Sequence, residues 1–262
     1  MTRLRRLAAA SWRVCVVGAG LLLIWQAVVL VTEVPAFLLP SPARVLNALW
    51  ARQDIILGHA AVTLSEILAG LLIGGCAGAA AALLLAAFAP ARRWLLPVLL
   101  VSQAIPVFAI APLLTLWLGF GMASKVAMAA IIIFFPVASA FQDGLRRTDP
   151  GWLDLARSMG ASRAAILFRI RVPAALPALA SGLRVATAVA PIGAIVGEWV
   201  GASAGLGYLM LHANARSQAD VMFAALAVLA AIALMLWFLV DAALRAAIPW
   251  SRESHPDEES PS

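Results

Sequence analysis

The sequence predicts an all-α membrane protein that crosses the bilayer several times. Of its 262 residues, 63% are hydrophobic and only 12% are charged, whereas a soluble domain carries about 25% charged residues. A soluble core of this size would need a charged shell that the chain cannot supply. The apolar residues also fall into long runs, which is the pattern of a polytopic helical protein.

Six apolar runs are long enough to span a bilayer, which takes about 20 residues in a helix. They are residues 14–32, 60–88, 94–118, 123–145, 174–200 and 221–246. The first run follows a basic N-terminus, as in a signal peptide, but it is long and no small-residue cleavage site follows it. We therefore expect it to remain as the first span.

The basic residues predict the orientation of these spans. If the N-terminus is cytoplasmic, fifteen of the 19 lysines and arginines lie on the inner side. The outer side then holds Arg44, Arg52, Lys125 and Arg216. Because inner loops are enriched in basic residues, the sequence predicts six spans with both termini on the cytoplasmic side of the membrane. The net charge of +6 follows from this topology and does not indicate binding to nucleic acid.

We divide the chain into three regions. Residues 1–58 form the first span and an outer interfacial segment, and residues 59–248 form a five-span core with a cytoplasmic loop at 146–173. Residues 249–262 are a polar tail that we expect to be disordered. Within the core, Gly70, Gly74 and Gly78 lie on one helix face. Such a stripe lets helices approach closely, and we expect packing within the subunit more than a dimer seam.

Four residues are candidates for a translocation path. Gln103, Pro106 and Pro112 lie in the third span, where prolines kink a helix, and Glu198 lies in the fifth. A charged residue at membrane depth usually faces protein or water, although Glu198 could instead be a rim residue that reaches the headgroups. The rim interpretation is favoured for Glu66, and Asp241 is expected to pair with Arg245.

The sequence contains no set of residues with the spacing of a known catalytic motif. Its one lysine, Lys125, follows a serine, so the chain has no phosphate-binding loop of the Walker type. Its three histidines are far apart, and Cys15 and Cys76 lack the spacing of metal ligands. We therefore expect neither an enzyme nor a metal site, and no cofactor in this chain. Energy for uphill transport would come from another subunit.

The stretch "DLARSMGASRAAILFRIRVP" at 154–173 predicts a helix–turn–helix elbow on the cytoplasmic side. Gly160 accepts backbone angles that end a helix, and Ser162 is a good N-cap for a second helix at 163–171. Pro173 and Pro177 are expected to mark the turn into the fifth span.

This spacing resembles the EAA loop of permease subunits of ATP-binding-cassette (ABC) importers: E-A-A, three residues, G, nine residues, I-x-L-P. Here Asp154, Leu155 and Ala156 are followed at those distances by Gly160 and by a segment that ends at Pro173. In that family the loop docks onto the ATPase. The resemblance implies a contact made by Asp154, Ala156, Gly160, Ala161, Ser162 and Arg163.

The segments "TLSEILAGLLIG", "IPVFAIAPLLTLWLGFG" and "GEWVGASAGLGYLM" resemble the nitrate/sulfonate/taurine branch of these permeases. The segment at 102–121 is most similar to members assigned to hydroxymethylpyrimidine, a thiamine precursor. The resemblance implies a homodimer in a bacterial inner membrane, cytoplasmic ATPase subunits that bind ATP and Mg²⁺, and an extracytoplasmic binding protein. Permeases for sulfonate, taurine, nitrate or riboflavin-like solutes remain alternatives, and a stand-alone secondary carrier is the alternative of another class.

Overall fold

The structure, a computed structural model, describes residues 2–88, 90, 93, 94, 97 and 106–250. Within these residues the regular structure is helical and includes no strand, as the sequence predicts. The α-helices are α1 (Thr2–Thr32), α2 (Pro42–Ala51), α3 (Gln53–Ala87), α4 (Val107–Leu118), α5 (Met122–Arg146), α6 (Pro150–Ser158), α7 (Arg163–Ile166), α8 (Val172–Gly201), α9 (Leu206–Ala215) and α10 (Ala219–Ala247). A π-helical turn, Leu167–Arg171, joins α7 to α8.

Within the described residues, four helical segments are long and apolar enough to cross a membrane: α3, α5, the continuous stretch Arg163–Gly201, and α10. The first predicted span lies in α1, whose apolar stretch Val16–Thr32 is shorter than these. The third predicted span includes residues outside the described part of the chain, and α4 is the portion of it that the structure shows. The count of six spans therefore stays a prediction.

The centre of the bundle is α5, which packs between α3 and α8. Three glycines of α3 face it so closely that no side chain would fit between the helices. A Cβ atom built on Gly74 would lie 2.6 Å from the carbonyl oxygen of Ala130, and one on Gly78 would lie 2.6 Å from that of Phe134. A Cβ atom on Gly70 would meet Ala129 in the same way. The glycine stripe thus packs inside the subunit, where close van der Waals contact holds membrane helices together.

Glycines of α8 bring that helix equally close to the other side of α5. A Cβ atom on Gly193 would lie 2.7 Å from the Cα atom of Ala129, and one on Gly182 would lie 2.9 Å from the carbonyl oxygen of Pro136. Gly182 and Gly193 are not among the glycines that were predicted to pack, and they lie in a helix rich in alanine. The close packing of α5 against both α3 and α8 therefore depends on glycines in those two helices.

The entry into α8 differs from the prediction. Pro173 and Pro177 were expected to mark a turn, but α7, the π-helical turn and α8 form one continuous helical stretch. A proline lacks an N–H group and its ring collides with the carbonyl group four residues earlier. A π-turn shifts the bonding by one residue, and Val172 N–H donates to the carbonyl oxygen of Leu167. The wider turn, with Pro173 in the first turn of α8, relieves that collision without breaking the helix.

A buried carboxylate ties α8 to α10. Asp241 forms ion pairs with Arg245, as the sequence predicts, and with Arg184 of α8, whose Nε lies 2.8 Å from Asp241 Oδ1. The partner on α8 is 57 residues away along the chain, so helical spacing could not indicate it. The pair fixes the C-terminal part of α10 to the first half of α8.

Candidate functional site

The elbow consists of α6, the turn at 159–162 and α7. Asp149 caps α6 by accepting a hydrogen bond from Gly151 N–H at 2.7 Å, and Pro150 occupies the first turn. The helix ends at Ser158, and Gly160 follows in the turn with a φ of 76°, a left-handed conformation that favours glycine. Ser162 Oγ then accepts from Ala165 N–H at 3.2 Å. The predicted glycine break and serine cap are both confirmed.

The base of the elbow is fixed to the bundle. Arg171 donates from Nε and Nη2 to the carbonyl oxygen of Leu145, at 3.0 and 2.7 Å. Leu145 is fully buried in a small apolar cluster with Phe141 of α5 and Leu167 of the π-helical turn. Because the cluster also includes Ala82 of α3, a force applied to the elbow would reach three membrane helices.

Three large apolar residues cover the outward face of α6: Trp152, Leu155 and Met159, which are 58%, 63% and 79% exposed. Their spacing of three and four residues places them on one side of the helix. Leu155 stands where the EAA pattern has its first alanine, and neither Trp152 nor Met159 was predicted as a contact residue. The sequence feature that could have indicated these residues is an apolar stripe on a helix outside the predicted spans.

The elbow residues implied by the resemblance do not all face outward. Asp154, Gly160, Ser162 and Arg163 are exposed and Ala161 is half-buried. Ala156 is buried, at 7% exposed. Asp154 pairs with Arg157 at 2.8 Å, an exposed ion pair that contributes little stability.

The opposite end of α3 lies against the turn at 202–205, the α8–α9 turn. Glu198, at the end of α8, is 1% exposed. Its Oε1 accepts a hydrogen bond from Thr63 Oγ1 at 2.6 Å, and its Oε2 accepts from the N–H groups of Gly207 and Tyr208. The carboxylate therefore caps the N-terminus of α9, where backbone donors lack helical partners.

Thr63 and a second residue of α3, His59, also hold the backbone of this turn. Leu206 N–H donates to Thr63 Oγ1 at 2.8 Å, and Gly205 N–H donates to His59 Nδ1 at 3.0 Å. Gly205 has a φ of 112°, and a Cβ atom there would collide with the carboxyl group of Glu198. This close approach requires a glycine, so the turn and the carboxylate fit each other.

Glu66 of α3 is also 1% exposed. The expectation that it reaches the headgroups is wrong, because helix α3 directs it into the bundle. Lys125 of α5 is 4% exposed, and its ammonium donates to the carbonyl oxygens of Phe120 and Gly121 at 2.6 and 2.9 Å. Charged groups of three helices thus meet at this end.

The four candidates for a translocation path do not form one cluster in the described part of the chain. Gln103 lies outside the described residues. Pro106 precedes α4 and Pro112 lies on its exposed side, whereas Glu198 is buried between α3 and α9. Their role in a path stays a prediction.

Comparison with known proteins decides the family. Residues 70–253 match the family described as the inner membrane component of binding-protein-dependent transport systems. The chain belongs to this family. It is thus the permease subunit of an ABC importer and not an enzyme, and it is a multi-pass membrane protein. Membership implies an ATPase subunit and a binding protein as partners, which disfavours the stand-alone carrier.

Individual relatives agree with this assignment. The permease is 55% identical to a "probable ABC transporter permease protein" of Haemophilus influenzae, over 84% of this chain and 90% of that one. It is 38% identical to the riboflavin transport permease RibX of Chloroflexus aurantiacus, over 88% and 87%. It is 32% identical to the formylaminopyrimidine transport permease ThiX of Halalkalibacterium halodurans, over 89% and 93%. The taurine permease of Escherichia coli, at 29% over 90% and 88%, agrees with the predicted branch.

The fold also matches a solved structure. The methionine transporter MetNI in an inward-facing conformation has a chain that superposes with a TM-score of 0.65. The match covers 75% of the permease and 97% of that chain at 20% identity. This likeness supports the fold, which is that of ABC permeases.

Proposed function

We propose that this permease carries a nitrogen heterocycle, and first of all a pyrimidine precursor of thiamine, delivered by an extracytoplasmic binding protein. The observation that carries the proposal is the similarity to a formylaminopyrimidine permease along nearly the whole chain. The 38% identity with a riboflavin permease favours riboflavin as the second candidate. Both solutes are planar nitrogen heterocycles, unlike taurine, sulfonate or nitrate.

Transport by the reconstituted importer tests this proposal. The permease, its co-expressed ATPase and its binding protein are placed in liposomes, and ATP-dependent uptake of labelled hydroxymethylpyrimidine, formylaminopyrimidine, riboflavin and taurine is measured. We expect uptake of a pyrimidine, with riboflavin as the next candidate. Uptake of taurine alone would contradict the proposal, and ATP-dependent uptake of any of these would still support the importer assignment.

The proposed topology has six spans with both termini in the cytoplasm. At one end of the bundle the structure joins segments that were predicted to lie outside. Arg52 Nη1 donates to Gln218 Oε1 at 3.3 Å, and a Cβ atom on Gly201 would lie 2.7 Å from the ring of Phe120. At the other end, contacts such as that between Arg171 and Leu145 join segments predicted to lie inside. These pairings support spans that cross the bilayer in alternating directions. The excess of arginines in the segments at the elbow end supports the assignment of that end to the cytoplasm.

The elbow is the proposed contact with the ATPase, and we propose that the ATPase, not this chain, holds the ATP and Mg²⁺. Its fixed base and exposed apolar face support this role. Among the residues implied by the resemblance, Asp154, Gly160, Ser162 and Arg163 are accessible to a partner, and Trp152, Leu155 and Met159 add the apolar area that a protein interface needs. Ala156 is buried and would act on the shape of the elbow rather than by direct contact. We further propose that two copies of the chain form the translocation path between them.

A further inference from the structure

A cavity of about 980 Å³ lies between the end of α3 and the elbow. Its first wall consists of Ala80 and residues 83–88 at the end of α3, and its second wall is formed by α6, α7 and the π-helical turn. Ligand pockets in proteins measure roughly 300–1,000 Å³. The cavity is therefore large enough to hold a substantial part of an organic ligand.

The elbow side of the cavity is positively charged. Arg157 of α6, Arg163 of α7 and Arg171 of the π-helical turn line it, and none of the described residues that line it is acidic. The hydrogen bonds of Arg171 to the carbonyl oxygen of Leu145 hold that charge in place. Arg157 bonds to Asp154 through one of its five N–H donors, in an exposed pair that a stronger anion can displace. The cavity therefore favours a negatively charged ligand.

The rest of the lining is apolar, and part of it is accessible. Leu84 and Phe88 at the end of α3 are 43% and 58% exposed, and Phe168 of the π-helical turn is 60% exposed. Because α3 is long and apolar enough to cross a membrane, these side chains are expected to contact acyl chains. A small soluble anion would leave this apolar surface uncovered. The two kinds of lining together match a ligand with an anionic head and an apolar tail.

We propose that this cavity binds an anionic phospholipid of the cytoplasmic leaflet, with its phosphate at Arg157 and Arg163 and its acyl chains against Leu84 and Phe88. Basic pockets beside membrane helices on the cytoplasmic side are typical sites for such headgroups. The inference is independent of the transported solute and rests on the proposed orientation, which places the elbow in the cytoplasm. A lipid bound here would join the end of α3 to the elbow, so that membrane composition acts on the elbow.

The lipid and the ATPase would contact different sides of α6. Successive residues of a helix are about 100° apart, so Leu153 and Arg157, which line the cavity, lie roughly opposite Trp152, Leu155 and Met159. The exposed apolar face of the elbow therefore remains available to the ATPase while the lipid is bound.

Native mass spectrometry of the intact permease–ATPase complex tests the proposal, by counting the lipids retained as phosphatidylglycerol or phosphatidylcholine is added. We expect phosphatidylglycerol to bind more tightly than phosphatidylcholine. Arg157→Gln combined with Arg163→Gln should weaken phosphatidylglycerol binding about 25-fold, since each arginine near an anionic headgroup contributes about fivefold. Arg146→Gln combined with Arg147→Gln removes the same charge from exposed positions at the same end of the bundle. This control should bind phosphatidylglycerol as the wild type does.

A second pair of variants tests the cavity without changing a charge. Ala80→Trp fills part of the cavity and should also weaken phosphatidylglycerol binding, whereas Ala61→Trp, at an exposed position near the other end of α3, should not. This pair decides the question if the arginine variant fails to assemble. Equal binding of the two lipids, or unchanged phosphatidylglycerol binding in the arginine variant or in Ala80→Trp, would overturn the proposal. Displacement of the lipid by inorganic phosphate alone would indicate a simple anion site and would overturn it too.

Discussion

The Gly74→Leu substitution is expected to prevent assembly of the folded permease. A Cβ atom at this position would lie 2.6 Å from the carbonyl oxygen and 2.9 Å from the Cα atom of Ala130. Both are backbone atoms, so the clash is relieved only if α3 moves away from α5 along their whole contact. Overpacking of a core costs about 1–3 kcal/mol even where side chains can yield, and here we expect about 3 kcal/mol or more.

The yield of monodisperse protein and the thermal unfolding temperature in detergent measure this effect. Gly58→Leu is the matched control, because it lies on the same helix and nothing stands within 4 Å of its Cβ position. Gly58→Leu should match the wild type in both measurements. If Gly74→Leu also matched the wild type, the close packing of α3 on α5 would be wrong.

The Gly160→Val substitution is expected to uncouple the permease from its ATPase while leaving it folded. Nothing lies within 4 Å of a Cβ atom at Gly160, so the cost comes from the backbone angle alone. A left-handed residue with a side chain costs roughly 1–2 kcal/mol, and more when it is β-branched. The elbow would relax to another angle, which we expect to weaken ATPase binding about tenfold and to abolish stimulated ATP hydrolysis.

Two further variants separate the effect of the backbone angle at position 160 from that of an added side chain. Gly160→Asn should keep most of the coupling, because asparagine tolerates the left-handed region. Gly121→Val adds the same side chain at a glycine with an extended backbone, a φ of −76° and open space. It should leave ATPase binding unchanged. If Gly160→Val kept wild-type ATPase binding and stimulated ATP hydrolysis, coupling would not depend on the geometry of the elbow.

The sequence predicted those features that local chemistry decides. The break at Gly160 and the cap at Ser162 depend on backbone angles and on a hydroxyl group three residues from its donor, so a few adjacent residues are enough. The pairing of Asp241 with Arg245 is likewise local. The long apolar runs predicted α3, α5, α8 and α10 because a membrane-spanning helix must satisfy its own backbone.

Features that depend on tertiary contacts were misjudged or missed. Pro173 was read as a turn, but a π-helical turn carries the helix past it. Glu66 was assigned to the headgroups, and the bond of Glu198 to Thr63 was missed because the two are more than a hundred residues apart along the chain. The partner of Asp241 on α8, Arg184, was missed for the same reason. Only the packing of α8 against α3 and against α10 brings these groups together.

Photo-cross-linking from the elbow tests most directly the claim that this face of the permease receives the ATPase. A photoreactive amino acid is placed at Met159, which is 79% exposed, in membranes that contain the co-expressed ATPase and binding protein. Leu72 on α3 and Leu211 on α9, which are 68% and 43% exposed, serve as control positions. We predict that position 159 captures the ATPase subunit and that positions 72 and 211 do not. Capture of the ATPase from position 211, or none from position 159 in a complex that transports, would contradict both the docking site and the proposed orientation.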